Sequence, residues 1–512
     1  MSRTRRFLGG AGFGYANQVI VTVAGLWLTP FLLARMEQHD YGLWLVGTQA
    51  LAYLMLMDFG VVALLPRETA FASGRAGESG AEGELPLLVG QTARLVLWQT
   101  PLVVVAALAF WMLMPSEWEP LKAPLLVVLA AFVLVFPLRI FQAVLLGLQD
   151  LEFLGKAQAC TWLLSTALTI ALVLAGFGLY ALAAGWAVAQ VLAVPIMLLR
   201  LRSRFAGALP QGLPRLPRAE ARRKLVNGFW VSINQIGVVL LLGTDVLVIG
   251  KMLGPAAVVP YACTAKLIMV LANQPQMLMQ LAIPALSELR AGADREHVTR
   301  VCVALSQAML LLSGAVVCVM LVVNRGFVGW WVGAGQYGGF ALTALVSLAM
   351  ILRHWNLTVG IILFSFGRER RLAVTGLLDG IVTVGASIVF TNWWGLAGAP
   401  LGAILGVCLV SLPGNLWALA GANATPVAML LRSLAPWFWR FALLALAAGV
   451  FAQRFVPDTF PSLASAAVLT ASVYCAVMLP LILREPLGIY VRPRLSPLGV
   501  RFFRALRLTK PA

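Results

Sequence analysis

Apolar stretches of about 20 residues recur from one end of this 512-residue chain to the other, separated mostly by short polar turns. A helix that crosses a bilayer needs roughly 20 predominantly apolar residues, so this pattern leaves few folds open. About fourteen such segments can be placed. Six (12–33, 41–65, 87–114, 123–148, 157–176, 179–199) precede a basic linker, six (227–253, 256–286, 298–323, 338–364, 372–393, 396–419) follow it, and two (435–456, 462–483) close the chain. The composition agrees, at 61% hydrophobic and 11% charged, where a soluble domain carries about 25% charged residues. The reading is an all-α, polytopic membrane protein of about 14 transmembrane helices, with nothing left over for a soluble domain.

Orientation comes from the linker. The stretch from Arg200 to Lys224, RLRSRFAGALPQGLPRLPRAEARRK, holds eight of the 38 Lys and Arg residues, one acid (Glu220) and three prolines. Excess Lys and Arg in short loops keeps them on the cytoplasmic side. On that topology 28 of the basic residues fall in cytoplasmic segments, five (Arg35, Lys122, Lys251, Arg325, Arg454) near the opposite face and five inside spans. The net charge of +18 therefore reflects topology and attraction to anionic membrane lipids; nucleic acid is not an expected partner. An even number of spans places both termini in the cytoplasm. The expected organisation is an N-terminal lobe over 1–200, the basic linker over 201–226, a C-terminal lobe over 227–420, two extra helices within 421–483 and a basic tail over 484–512. The loop PRETAFASGRAGESGAEGELP reads as mobile and cytoplasmic, and the basic start MSRTRRFLGG as the lead into a retained first span.

Enzyme chemistry finds no support. Cys160, Cys263, Cys302, Cys318, Cys408 and Cys475 all sit in apolar segments without CxxC spacing, and His39, His297 and His354 are scattered. They read as buried hydrophobes and isolated histidines, without a disulfide, metal site or cofactor. No HExxH, GxSxG or phosphate-binding glycine loop occurs, and no catalytic residue is assigned.

The two halves resemble each other. A shift of about 216 residues lays Gly12-Phe13 on Gly228-Phe229, Asn17-Gln18 on Asn234-Gln235 and Arg35-Met36 on Lys251-Met252, with slips of one residue. Within two residues the same shift lays Arg139-x-x-Gln142 on Arg353-x-x-Asn356. Six spans map on six in the same direction, which describes two parallel repeats related by an axis along the membrane normal.

Ionisable residues inside spans cost about 3 kcal/mol each at the bilayer centre and call for a reason. The cations are Arg94, Arg139, Lys266, Arg353 and Arg440, and the acids Asp58, Asp245 and Asp379. Arg440 is near enough to an inner boundary to reach the interface. Arg139 is about 15 Å deep at 1.5 Å per residue, and Arg353 is as deep or deeper. Two guanidiniums at matched repeat positions, facing across a central cavity, suit a pyrophosphate because each can form two parallel bonds to phosphate oxygens. Gln142 and Asn356 lie one helical turn further on and suit sugar hydroxyls, while Lys266 and Arg94 extend the basic lining. A structural ion pair of Lys266 with Asp245 competes with that role. Asp58, Asp245 and Asp379 are candidates for ion coupling, with pairing or solvation as the alternative. Asn17, Gln18, Asn234 and Gln235 suit helix–helix contacts better than substrate contacts.

The opening GFGYANQVIVTVAGLWLTPFLLARMEQHDYGLWLVGTQALAYLMLMDFGVVALLPRETA resembles the start of the polysaccharide transporters, the Wzx-type lipid-linked oligosaccharide flippases of the multidrug/oligosaccharidyl-lipid/polysaccharide (MOP) superfamily. FPLRIFQAVLLGLQDLEFLGKAQ, TDVLVIGKMLGPAAVVPYACTAKL and PALSEL extend the resemblance over most of the chain. It implies two six-helix lobes in a V around a central cationic cavity plus two C-terminal helices, working by alternating access. The implied substrate is an undecaprenyl-diphosphate-linked oligosaccharide, carried from the cytoplasmic to the periplasmic leaflet of the bacterial inner membrane for O-antigen, capsule or exopolysaccharide synthesis. Polymerase and chain-length proteins are the implied partners. A drug/cation antiporter of the same superfamily is the alternative, disfavoured because the first span lacks an acid; a non-transporting membrane subunit of an assembly complex is a third.

The topology is open to a direct check. Reporter fusions at Gln211 and Leu495 are expected to read as cytoplasmic, and fusions at Glu117 and Gln336 as external. A periplasmic signal at Gln211 inverts the orientation.

Overall fold

The computed structural model describes residues 20–75, 83–210, 212–280, 286, 295–423 and 427–495. Asn17, Gln18, most of PALSEL and the end of the basic tail lie outside them. Among the described residues the chain is helical throughout, with no strand. In a medium without water to solvate backbone groups, helices satisfy their own N–H and C=O groups. The chain divides into two compact units, Met1–Val259 and Pro260–Ala512. That boundary falls inside a helix beyond the basic linker.

The first unit contains α1 (Ile20–Leu33), α2 (Gln38–Leu54), α3 (Val61–Gly74), α4 (Glu84–Met112), α5 (Glu119–Val135), α6 (Ile140–Gly147), α7 (Leu151–Leu174), α8 (Leu179–Arg204) and α9 (Arg218–Met252). Beginning in the first unit and ending in the second, α10 covers Pro255–Gln280. The second unit continues with α11 (Arg295–Val332), α12 (Phe340–Ser365), α13 (Glu369–Trp394), α14 (Gly398–Gly406), α15 (Leu412–Asn423), α16 (Val427–Arg454), α17 (Phe460–Ile482) and the short α18 (Gly488–Leu495). Among the described residues, eleven helical segments are long and apolar enough to cross a membrane, or twelve when a bent pair is taken as one. One of the eleven, Glu369–Ala422, turns back on itself at Gly395, and α1 is a further, shorter apolar helix. The count is consistent with the fourteen expected.

Several boundaries differ from the sequence reading for identifiable reasons. The second span bends by 55° between α2 and α3, because Phe59 (φ 47°) and Gly60 (φ 69°) are both left-handed and the Asp58 carboxylate accepts the Gly60 N–H at 3.0 Å. The polar stretch expected as loop from Pro66 onward is helical as far as Gly74. The fourth span tightens into a 3-10 turn over Phe136–Arg139, where Pro137 cannot donate to the helical ladder. Half of the linker is also helical. Pro217 sets the start of α9 at Arg218, and the Ala, Glu, Arg and Lys that follow are good helix formers. The outer loop expected after Val323 forms only at Gly333 (φ 98°) and Gly339 (φ 99°), since α11 runs on to Val332.

The repeat reappears in the backbone of both units. Gly178, between α7 and α8, has φ 52° and ψ −127°. Gly395, 217 residues later and between α13 and α14, has φ 60° and ψ −136°. Each turn folds a hairpin whose two helices pack closely at a glycine. A Cβ on Gly185 would run into Thr169 Oγ1, and one on Gly402 into Ser387, again 217 residues apart. Matching turns followed by matching close approaches are what two copies of one ancestral hairpin produce.

Candidate membrane-embedded charge clusters

In the second unit the deep charges meet in one place. Arg353 on α12 donates through Nη1 to Asp379 Oδ2 on α13 at 2.7 Å, and through Nη2 to Asp379 Oδ1 at 3.3 Å. Nη2 also reaches Thr383 Oγ1 at 3.1 Å and the Ala403 carbonyl on α14 at 3.3 Å. Thr383 Oγ1 and Ser411 Oγ donate to the carboxylate at 3.0 and 2.5 Å, so Asp379, wholly buried, is met on both oxygens. Asn356 Nδ2 donates to Ser411 Oγ at 3.0 Å and its Oδ1 accepts from Asn415 Nδ2 at 2.9 Å. Asn415 Oδ1 is buried without a partner.

Local backbone makes room for this network. Ser411 ends a π turn over Val407–Ser411, the widened helical geometry that occurs mostly at functional sites. A Cβ on Gly406 would collide with Thr383 Oγ1 and Asp379 Oδ1; glycine is what lets α14 come this close to the carboxylate. The Arg353 side chain keeps 19% of its surface exposed.

The first unit holds a looser cluster. Arg139, at the end of the 3-10 turn, lies 5.9 Å from the centre of the Phe136 ring. Its Nη1 is buried without a hydrogen-bond partner. Asp58 is near enough to attract it yet forms no ion pair with it. That carboxylate is spent on its own turn through Gly60, while Gln99 Nε2 donates to the Asp58 carbonyl at 3.3 Å and Gln99 Oε1 stays unpartnered. Unlike Arg353, Arg139 retains unused donors inside the membrane.

The remaining predicted residues are dispersed. Gln142 is exposed on α6. Lys266 is half-buried on α10 with Cys263 one turn before it. Asp245 is half-buried on α9 next to Thr244, whose hydroxyl meets Tyr53 OH at 2.6 Å. Arg94 donates to the Pro214 carbonyl at 3.1 Å and lies over Trp98, so it is engaged by the linker. Asn234 is exposed, and Gln235 keeps a buried, unpartnered Oε1. Arg440, expected to reach the interface, has a buried and unpartnered Nη1.

Residues outside the sequence reading complete the second cluster: Thr383, Ser411, Asn415 and Gly406. A signal for them exists in the i,i+4 spacing of Asp379 with Thr383 and of Ser411 with Asn415, which puts polar groups on one helical face of otherwise apolar spans. His354, dismissed as scattered, is buried between Ser313 Oγ (2.7 Å from Nδ1) and Gln276 Nε2 (3.1 Å from Nε2). It ties α12 to α11 and α10. No group of three or more His, Cys, Asp or Glu residues suited to a metal occurs among the described residues.

Comparison with known proteins bears on the class of protein these clusters serve. A family model described as polysaccharide biosynthesis protein matches residues 102–334. Among solved structures, the lipid II flippase MurJ in an inward closed conformation superposes with a TM-score of 0.63 at 11% identity, over 93% of this chain and 99% of that one. An inward-facing multidrug resistance MATE transporter of the MOP superfamily gives 0.54 at 14% identity, over 81% and 99%. A MOP superfamily transporter from Pyrococcus furiosus, described as having a binding pocket of reversed polarity, gives 0.53 at 14% identity, over 83% and 93%. No curated protein matches the sequence. The fold is that of the MOP transporters. With the family match, it supports the resemblance read from sequence, a polysaccharide transporter of that superfamily.

The Arg353–Asp379 pair has a stability consequence. Removing one member of a buried pair strands the other and costs about 3–5 kcal/mol, whereas replacing both by apolar groups is often nearly neutral. Asp379→Leu is therefore expected to lower the melting temperature of the detergent-solubilised protein more than Arg353→Met with Asp379→Leu together. Equal losses in the single and double variants would show that the pair is not coupled.

Proposed function

We propose that the protein is a flippase that carries an undecaprenyl-diphosphate-linked oligosaccharide from the cytoplasmic to the periplasmic leaflet of a bacterial inner membrane, by alternating access, for O-antigen, capsule or exopolysaccharide synthesis. The observation that carries this reading is the pair Arg139 and Arg353: two guanidiniums at matched repeat positions inside apolar spans, where an unpaired cation is costly. A diphosphate is the complementary ligand, since a guanidinium binds two phosphate oxygens in parallel. The polysaccharide description of the matched family supports the glycan portion of the substrate.

The two arginines take different parts in this scheme. Arg139, with its buried free donor, is the resident phosphate grip. Arg353 is held by Asp379 and joins when that carboxylate takes up a cation, which makes Asp379 the coupling acid, with Asp58 and Asp245 as further candidates. Asn356 and Gln142 serve sugar hydroxyls, and Lys266 lends positive potential. Arg94, engaged with the linker, contributes charge near the cytoplasmic mouth. Polymerase and chain-length proteins of an assembly system are the expected partners.

Complementation of a deletion strain tests the scheme. Arg139→Ala and Arg353→Ala, at normal protein levels, should each lower glycan export by about tenfold or more, as expected for losing charge-assisted hydrogen bonds of about 1.5–3 kcal/mol each. Lysine at either position should restore only part, because the forked geometry is lost. Full export by the doubly substituted Arg139→Ala, Arg353→Ala protein would remove the proposal.

A further inference from the structure

The start of α9 has two faces with different fates. On one, Lys224 Nζ donates to Glu68 Oε2 at 2.9 Å and to Thr92 Oγ1 at 3.3 Å, Glu220 accepts from Gln91 at 2.9 Å, and Gly228 lies so close to the Phe59 carbonyl that a Cβ would collide with it. These contacts fix the rotation of the helix against α3 and α4. On the other, Arg218, Arg222, Leu225 and Phe229 fall within an arc of about 60° at 100° per residue, and all four are exposed. Ala221 and Val226 adjoin them on the same helix. Among the described residues neither arginine makes a hydrogen bond or ion pair.

The sequence of chemistry along this face is that of a membrane surface: guanidiniums for one turn, then Leu225, Val226 and Phe229. The helix is 35 residues long, about 52 Å at 1.5 Å per residue, against a hydrocarbon core of about 30 Å. Its beginning therefore extends into the headgroup layer on the linker's side of the membrane. A glycerophospholipid with a net negative headgroup would lay its phosphate across the two guanidiniums and an acyl chain over the apolar step, whereas a soluble anion would leave that step bare. Because the opposite face is pinned by Glu220, Lys224 and Gly228, the two arginines stay turned away from α3 and α4.

We propose that Arg218 and Arg222, with Leu225, Val226 and Phe229, form a binding site for an anionic phospholipid, which anchors the basic linker to the membrane surface. The site is independent of the solute carried.

Native mass spectrometry of the detergent-purified full chain, titrated with phosphatidylglycerol or phosphatidylcholine, tests this. Phosphatidylglycerol should bind with about thirtyfold preference, the equivalent of about 1 kcal/mol for each of the two basic residues near an anionic surface. Arg218→Gln with Arg222→Gln should abolish the preference with an unchanged melting temperature. Arg202→Gln, at another exposed cytoplasmic arginine, should keep it. Should the double variant fold poorly, Arg218→Lys with Arg222→Lys provides the second reading, retaining most of the preference. Equal phosphatidylglycerol retention by native and double-glutamine proteins would overturn the proposal. So would displacement of the lipid by millimolar inorganic phosphate, or by undecaprenyl phosphate at equal mole fraction, outcomes that assign the site to a soluble anion or to a polyprenyl phosphate.

Discussion

Desolvation of charge is the constraint on which the rest of this structure depends. A chain with 61% apolar residues could span a membrane without any buried ion, yet this one carries arginines and aspartates deep in its spans. Each must be neutralised, solvated or given a ligand. The second unit neutralises: Arg353 and Asp379 face each other within 2.7 Å, with Thr383 and Ser411 satisfying the remaining carboxylate positions. Arranging that network demanded a glycine at 406 and a widened helical turn at 407–411, so the backbone of three helices is shaped around one ion pair. The first unit leaves Arg139 with a buried donor that has no hydrogen-bond partner among the described residues. The matched arginines of the two repeats thus stand in different surroundings, one held by a carboxylate and one with an unpartnered donor.

Glycines set the framework on which those charges are held. The Gly178 and Gly395 turns share a backbone conformation that side-chain-bearing residues rarely adopt. The hairpins they close are drawn together at Gly185 and Gly402, where no side chain fits. Small residues at helix contacts serve membrane proteins in this way because lipid supplies no hydrophobic drive between helices, and close packing must do so instead. In the second unit this hairpin packs α14 against α13 beside Asp379, where the carboxylate meets Arg353.

Architecture was legible in the sequence because the bilayer sets it so strictly: long apolar runs can only be helices, and the 216-residue self-similarity already announced the repeat. Helix ends were less legible. The residues expected as loop near Pro66 and in the second half of the linker are helical, since polar helix formers such as Arg222, Arg223 and Lys224 look like linker when read by hydropathy alone. Within the sites, Arg139, Arg353, Asp58 and Asp379 were visible as misfits in apolar runs. The partnership between Arg353 and Asp379 was not, for it depends on which faces of α12, α13 and α14 meet. Thr383, Ser411 and Asn415 passed unnoticed because hydroxyls and amides are ordinary in spans, and only their i,i+4 spacing marked them. Arg94 reads as cavity lining from the sequence because depth along a helix says nothing of the linker folding back over it at Pro214.

The central claim is that this fold moves a diphosphate-linked glycan lipid across a bilayer. The most direct measurement uses purified protein in liposomes whose outer leaflet contains a lipid-linked oligosaccharide, with its glycan read by a membrane-impermeant lectin. The account predicts that lectin-accessible glycan falls with time in the presence of the native protein and stays constant with Arg139→Ala at equal incorporation. A constant signal with the native protein, across imposed proton and sodium gradients of either direction, would contradict it.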